Sequence, residues 1–261
     1  MNAPQPLYLL AVEDGVAVVT LNRPEAMNSI NVRLRTELMA LFPQLDVRED
    51  VRVIVITGAG DRAFCTGADL KERAGRSTAV MVHERHTVVA RSTSMVSSLR
   101  KPVIAAINGY CMAGGYELVL QCDISIASEK AIFSLPEVAH GFFPGGGACQ
   151  RLPRLVGLQK AKELIFTGRR WDAAEALRLG LVNQVVPHDQ VMPEALAMAK
   201  RIAAHPAIGL IQAKSALNQS QETPLTAGLR FDNEAWVGCM HSDEWKTKLG
   251  SFARGERKAP D

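Results

Sequence analysis

The chain has 261 residues, of which 47% are hydrophobic and 22% charged, and its formal net charge is +3. This suits one large soluble globular domain, alone or with an appendage. So small a charge gives no footprint for nucleic acid or an acidic membrane surface.

The five cysteines, Cys65, Cys111, Cys122, Cys149 and Cys239, form no CxxC pair and stand at no zinc-like spacing with His. They are expected to be free thiols in a reducing compartment. The first residues, MNAPQPLYLL, lack the basic start of a secretory leader and the Arg/Ser bias of a transit peptide. No apolar run reaches membrane-spanning length. The expected location is cytoplasmic.

In chain order, Leu7 to Val12 and Val16 to Leu21 read as strands of a hairpin around Glu13-Asp14-Gly15. Asn31 to Val47 carries Leu34, Leu38, Leu41 and Leu45 at helical spacing. Val51 to Ile56 is a buried strand ending in Thr57-Gly58-Ala59-Gly60. The run Gly58 to Ala63 loosely matches the G-x-G-x-x-A of dinucleotide folds. No helix opens at its third small residue and no acidic strand end follows about twenty residues on, so that reading is set aside. Phe64-Cys65-Thr66-Gly67 reads as loop, with Ala68-Asp69-Leu70 opening a further helical stretch.

Thr78 to Leu99 shows one long helical pattern that includes His83 and His86. With no accompanying carboxylate motif the two histidines read as solvated or rim residues, and no metal is expected. Pro102 to Pro136 is the stretch around which the chain is organised. Val103 to Ile107 is short, apolar and β-branched, hence a buried strand; Gly114-Gly115 follows, then a helical segment from Tyr116 to Gln121. Gly141 to Gly147 is a flexible loop bearing two aromatics. Helices follow at Ala148–Val156, Gln159–Thr167 and Ala173–Leu179, with a short strand within Leu181–Val186. From Val191 only helical patterns remain, divided by prolines. Strands alternating with helices imply βαβ units. The chain therefore divides into an α/β body over residues 1–190 and a helical tail over 191–261. The tail's Phe231, Trp236, Trp245 and Phe252 are expected to pack on the body or on a neighbouring subunit.

A glycine pair between a strand and a helix exposes backbone N–H groups at the positive end of the helix. Gly114 supplies one such N–H, and Ala68, after Gly67, a second. Two N–H donors at turns near strand ends are the makings of an oxyanion hole. Glu117 lies in the first turn after Gly114, and Glu137 directly follows Leu135-Pro136. Two carboxylates bracketed by apolar runs suit paired acid–base chemistry. For either alone, a surface acid or a packing glycine is the competing explanation. No G-x-S-x-G is present, which disfavours a serine hydrolase.

Five segments, LNRPEAMNSI (21–30), FCTGADL (64–70), 101–128, 133–157 and 164–187, resemble in order those of the crotonase (enoyl-CoA hydratase/isomerase) superfamily. The resemblance covers nearly the whole chain. It implies a crotonase-like spiral of ββα units with a C-terminal α-helical tail used for oligomerisation and active-site closure, as a homotrimer or dimer of trimers. It implies an acyl-CoA thioester substrate, with coenzyme A entering as part of the substrate and no other cofactor. Ala68 and Gly114 would then give the oxyanion N–H groups and Glu117 and Glu137 the catalytic carboxylates, with substrate contacts at Ala26, Asn28, Arg62, Asp69, Leu70 and Pro136 as well. Both glutamates together point to an enoyl-CoA hydratase, adding water to a trans-2-enoyl-CoA to give a 3-hydroxyacyl-CoA. An enoyl-CoA isomerase, a carnitinyl-CoA dehydratase-like lyase and an RNA-binding relative are the alternatives on the same scaffold. The sequence departs from the family pattern at Ala113, where the first of three glycines is usual, at Phe142-Phe143, and at Cys149.

Overall fold

The computed structural model describes residues 5–255, so part of the leader reading, residues 1–4, lies outside the described residues. Strands β1 (Tyr8–Glu13) and β2 (Val16–Leu21) pair antiparallel. Asp14 and Gly15 turn the hairpin, both at positive φ. Helix α1 (Val32–Val47) is capped by Asn31, whose side chain accepts from the Leu34 N–H at 2.8 Å.

Beyond α1 the chain alternates between two sheets. Strands β3 (Val53–Gly58) and β4 (Ala63–Cys65) precede the short helices α2 (Leu70–Arg73) and α3 (Thr78–Glu84). A π-helical turn, Arg85–Val89, joins α3 to α4 (Ala90–Ser92). Then come β5 (Val103–Ile107), β6 (Tyr110–Met112), α5 (Gly114–Val119), β7 (Ile124–Ser128) and β8 (Ile132–Ser134). Helices α6 (Ala148–Val156) and α7 (Leu158–Thr167), strand β9 (Arg170–Asp172), α8 (Ala173–Arg178) and β10 (Gln184–Val186) complete the body.

The larger sheet has the order β1-β2-β3-β5-β7-β10, parallel from β2 onward; the smaller is β4-β6-β8-β9, parallel from β4 to β8. Each turn of the chain thus adds one strand to each sheet, which is the spiral of ββα units expected from the resemblance.

The period of two within strands explains the core. In β3, Ile54 and Ile56 face α1 through Leu34, Leu38 and Phe42. Val53 and Val55 face the other way, onto Val191, Ala195 and Ala199 of α9 (Val191–Ala203). A parallel sheet must be covered on both faces, and α9 supplies the second cover. The boundary drawn at residue 190 therefore passes between the sheet and a helix that belongs to its core. Helix α10 (Ala207–Gln219) is tied down by buried Lys214, whose Nζ reaches Asp123 at 2.7 Å and the Lys101 carbonyl at 2.9 Å. Helices α11 (Leu225–Met240) and α12 (Asp243–Ala253) meet through Trp236 and Trp245 at 6.2 Å, yet Leu225, Leu229, Trp236 and Leu249 stay exposed. Among the described residues no helix is long and apolar enough to cross a membrane.

Two expectations need correction. Phe64-Cys65 is not loop but part of β4. The pattern from Thr78 to Leu99 is helical only as far as Ser92; it passes through a π turn, and residues 93–98 are turns. The smaller sheet as a whole, with strands of three residues, was not visible as pattern, because three residues hold too little alternation to register.

The smaller sheet is backed by an aromatic trio. Tyr116 meets Phe133 and Trp171 edge-on at 5.6 and 5.4 Å, and Phe133 stacks on Trp171 at 6.1 Å. The buried Tyr116 hydroxyl has no partner among the described residues, and an unpaired buried hydroxyl is a cost without a return. Tyr116→Phe is therefore expected to leave stability unchanged or raise it by about 1 kcal/mol. A loss of more than that in urea denaturation would show that the hydroxyl is satisfied.

Candidate active site

Three parallel neighbours of the smaller sheet, β4, β6 and β8, each run out into one part of the site: β4 into Gly67-Ala68, β6 into Ala113-Gly114 and α5, β8 into Pro136-Glu137. Ile30 and Ala68 form a parallel bridge. The Ile30 N–H donates to the Gly67 carbonyl at 2.7 Å and the Asp69 N–H to the Ile30 carbonyl at 3.1 Å. Because successive residues of extended chain point to opposite sides, the Ala68 N–H faces away from Ile30. Gly114 opens α5, so its N–H has no partner within the helix. Among the described residues neither N–H has an acceptor. A methyl built on Gly114 would stand 3.7 Å from the Ala68 nitrogen and 3.5 Å from the Gly67 Cα. The two donors are thus neighbours, with nothing but the missing side chain of Gly114 between them.

Glu117 and Glu137 open onto the same cavity, of about 190 Å³, as Ala68 and Gly114. They are 8% and 4% exposed. Burial raises the proton affinity of both, but the surroundings differ. The Glu117 carboxylate accepts from the Gly146 N–H at 2.5 Å and the Ala148 N–H at 3.2 Å, and Arg85 and Arg35 also favour its charged form. A Cβ at Gly146 would lie 2.2 Å from Glu117 Oε2, so only glycine lets this loop reach the carboxylate. Glu137 has a buried Oε2 without a partner. Burial, and in smaller part the charge of Glu117, push its carboxyl up to about 7. One carboxylate is held for its charge; the other holds a proton near neutrality.

The profile of the enoyl-CoA hydratase/isomerase family matches residues 11–261. The chain belongs to that family, and is an enzyme of it. It is 36% identical to the short-chain-enoyl-CoA hydratase of Clostridium acetobutylicum, over 94% of this chain and 93% of that one. It is 35% identical to the crotonyl-CoA hydratase of Syntrophomonas wolfei, over 96% of each. A crystal structure of an enoyl-CoA hydratase from Bacillus anthracis superposes with a TM-score of 0.92 at 39% identity, covering 96% of this chain and 97% of that one.

Not every residue assigned to the site through the hydratase/isomerase resemblance reaches the cavity. Leu70 and Pro136 line it; Ala26, Asn28, Arg62 and Asp69 do not. Asn28 is buried and fully occupied: its amide donates to the Ala59 and Ala63 carbonyls at 3.0 and 2.7 Å and accepts from the Arg23 N–H. Asp69 caps α2 through the Lys71 and Glu72 N–H groups and pairs with Arg23 at 2.8 Å, and the Arg23 hydrogen bond holds its carboxyl below the usual range. Both side chains shape the loops that carry Ala68. Arg62 is exposed and touches Met27 Sδ, beside the turn that holds Ala26.

Other cavity residues carry no motif that marks them beforehand: Arg35 of α1, Arg73 of α2, Arg85 of the π turn, and Ser92 and Gln121. The Gly145–Gly147 run was legible as flexible loop, but its N–H groups as a carboxylate cradle were not. Phe142 and Phe143, two departures from the family pattern, line the cavity and remain exposed; Cys149 does not line it. His83 and His86 are exposed, and among the described residues no cluster of three metal-ligating side chains occurs.

Ala113 is a departure with a structural consequence. It takes φ 50° and ψ −127°, a region that favours glycine. Such a conformation costs about 1–3 kcal/mol for a residue with a Cβ. It is held by two bonds: the Ala113 N–H donates to the Ser134 carbonyl at 2.9 Å, and the Glu117 N–H to the Ala113 carbonyl at 3.0 Å. Ala113→Gly relieves the strain but gives the unfolded chain more freedom, worth ~0.5–1 kcal/mol. The expected net gain is about 1 kcal/mol, a rise of roughly 2–4 °C in thermal midpoint for a chain of this size. A lowered midpoint would show that Ala113 is not strained.

Proposed function

We propose that this protein is an enoyl-CoA hydratase, which adds water to a trans-2-enoyl-CoA to give a 3-hydroxyacyl-CoA. One observation carries the reading: two unpaired backbone N–H groups and two buried carboxylates share one cavity. An isomerase needs the N–H pair and one base, so the second carboxylate favours hydration. The names of the relatives in Clostridium and Syntrophomonas support the same choice. A carnitinyl-CoA dehydratase-like activity is disfavoured, since a trimethylammonium head would enter a cavity lined by three arginines.

In this reading the thioester oxygen lies between the Ala68 and Gly114 N–H groups, which stabilise the negative charge that builds on it. Glu117 takes a proton from water as its oxygen bonds to C3. Glu137 gives its proton to C2, and the enolate electrons form the new C–H bond. Glu117 ends protonated and Glu137 ionised; exchange with solvent restores both, and the sum is one water added. The environments agree with these roles, since Glu117 is stabilised as a base and Glu137 holds a proton near neutrality. No cofactor is assigned beyond the coenzyme A that the substrate brings; half-buried Ala26 and exposed Arg62 lie outside the cavity and are left to the coenzyme A part of the substrate. The exposed apolar residues of α11 and α12 fit burial against further copies, as a homotrimer or dimer of trimers.

Loss of the crotonyl-CoA ultraviolet band on mixing tests the reading; absence of hydration for every 2-enoyl-CoA tried would refute it. Glu117→Gln and Glu137→Gln are each expected to lower kcat by ~10²-fold or more, and the double variant by less than the product. Because Glu137 works in its protonated form, kcat/KM of the wild type should fall as pH rises through about 7. A Glu137→Gln variant that keeps that alkaline limb would remove Glu137 from the acid role.

Gly114→Val is expected to fold, since a Cβ there meets only ordinary contacts, yet to cost ~10²-fold or more in kcat/KM by crowding the oxygen site. Calorimetric affinity for free CoA should hardly change. If CoA affinity falls as steeply as activity, Gly114 is a packing glycine.

A further inference from the structure

Arg35, Arg73 and Arg85 come from three different elements and all line the cavity. Among the described residues none of the three is ion-paired. Arg85 is exposed and donates to the Gly145 carbonyl. Arg35 lies deeper. One of its nitrogens donates to Ser92 Oγ at 2.7 Å; Ser92 is buried and donates in turn to the Val89 carbonyl. Gln121, also buried, donates to the Ser92 carbonyl and accepts from the Val96 N–H. Ser92 and Gln121 are thus both engaged by the protein, whereas the guanidinium of Arg35, with five N–H donors, makes one hydrogen bond among the described residues.

The direction of the acyl chain follows from α5. Gly114 and Glu117 of α5, and Gln121 two residues past its end, all line the cavity. A thioester oxygen at the Gly114 N–H and C2–C3 beside Glu117 send the far end of the acyl group toward Gln121, Ser92 and Arg35. At about 1.5 Å per residue, α5 rises ~8 Å from Gly114 to Val119, the scale of a short acyl chain, and Gln121 lies two residues beyond its end. Glu117 acts on Arg35 only at a distance, with no carboxylate in ion-pair contact, so a long hydrocarbon would end against a guanidinium without a directly bonded counter-ion, which is costly to leave dry.

We propose that the acyl group this cavity selects carries a carboxylate at its far end, held by Arg35: a short dicarboxylic acyl thioester of coenzyme A. Arginine matches a carboxylate in two parallel N–H···O bonds. The three arginines together set a positive field that draws the anionic end in. The proposal takes from the functional reading only that the cavity holds an acyl-CoA, so its test is one of binding, not turnover.

The probes are glutaryl-CoA and 5-methylhexanoyl-CoA, saturated thioesters in which a terminal carboxylate is replaced by an isopropyl group of the same shape. Neither has a double bond to hydrate. By calorimetry, glutaryl-CoA is expected to bind at least about tenfold more tightly, as one charge-assisted contact provides. That preference should disappear in Arg35→Met and return in part in Arg35→Lys. Equal or weaker binding of glutaryl-CoA by the wild type overturns the proposal, whether or not any variant folds. So does an Arg35→Met variant that loses affinity for both probes and for free CoA alike, since Arg35 would then serve the nucleotide end or the fold. Failure of crotonyl-CoA hydration would instead strike the functional reading and leave this preference measurable.

Discussion

Everything at the candidate site depends on the parallel pairing of three very short strands. Parallel neighbours stand about 4.8 Å apart and end on the same side. Whatever follows β4, β6 and β8 is therefore delivered to one place: an N–H from Ala68, an N–H and a carboxylate from Gly114 and Glu117, a carboxylate from Glu137. None of these strands would hold alone. Each is fixed because the chain has just left, or is about to rejoin, a long strand of the larger sheet, whose two faces are sealed by α1 and α9. The larger sheet supplies the stability and the smaller one the geometry.

The two carboxylates show how one cavity keeps two acids different. Both pay for leaving water. Glu117 recovers part of that cost from the Gly146 and Ala148 N–H groups and from the arginines around it, though burial still leaves its proton affinity raised. Glu137 recovers little, with one oxygen unpartnered, and keeps its proton to about pH 7. Mutual repulsion widens the gap, because a charged Glu117 favours the protonated Glu137. The Gly146 and Ala148 N–H groups thus favour the charged form of Glu117, a help that Glu137 lacks.

Much of this was legible in the sequence, and the gaps have physical causes. The hairpin, α1, β5 and α5 were legible because their periodicity or turn chemistry spans enough residues. Glu117 and Gly114 were legible as candidates because a glycine pair at a strand-to-helix junction exposes N–H groups whatever the fold. The strands β4, β6, β8 and β9 were not, since their stability is tertiary. The cavity arginines were equally hidden. On α1, Arg35 sits among residues of an ordinary half-solvated helix; only the return of the chain at Ser92 encloses it. Asn28 and Asp69 illustrate the reverse case. Their place in a family motif suggested substrate contact, and the structure shows their side chains holding loop and helix ends.

The strain at Ala113 belongs to the same logic. A residue at φ 50° turns the chain sharply between β6 and α5, and the peptide that follows carries the Gly114 N–H. Were Ala113 to relax into the extended region, that N–H would rotate away from Ala68 and the helix would start on a different axis, moving Glu117 with it. The conformation is over-determined by the Ser134 and Glu117 bonds that flank it, and Gly115 and Tyr116 immediately beyond are buried. An oxyanion donor needs to be fixed before charge develops, because a donor that must first be oriented returns part of its benefit as reorganisation. Strain held in place by neighbouring bonds is compatible with that requirement.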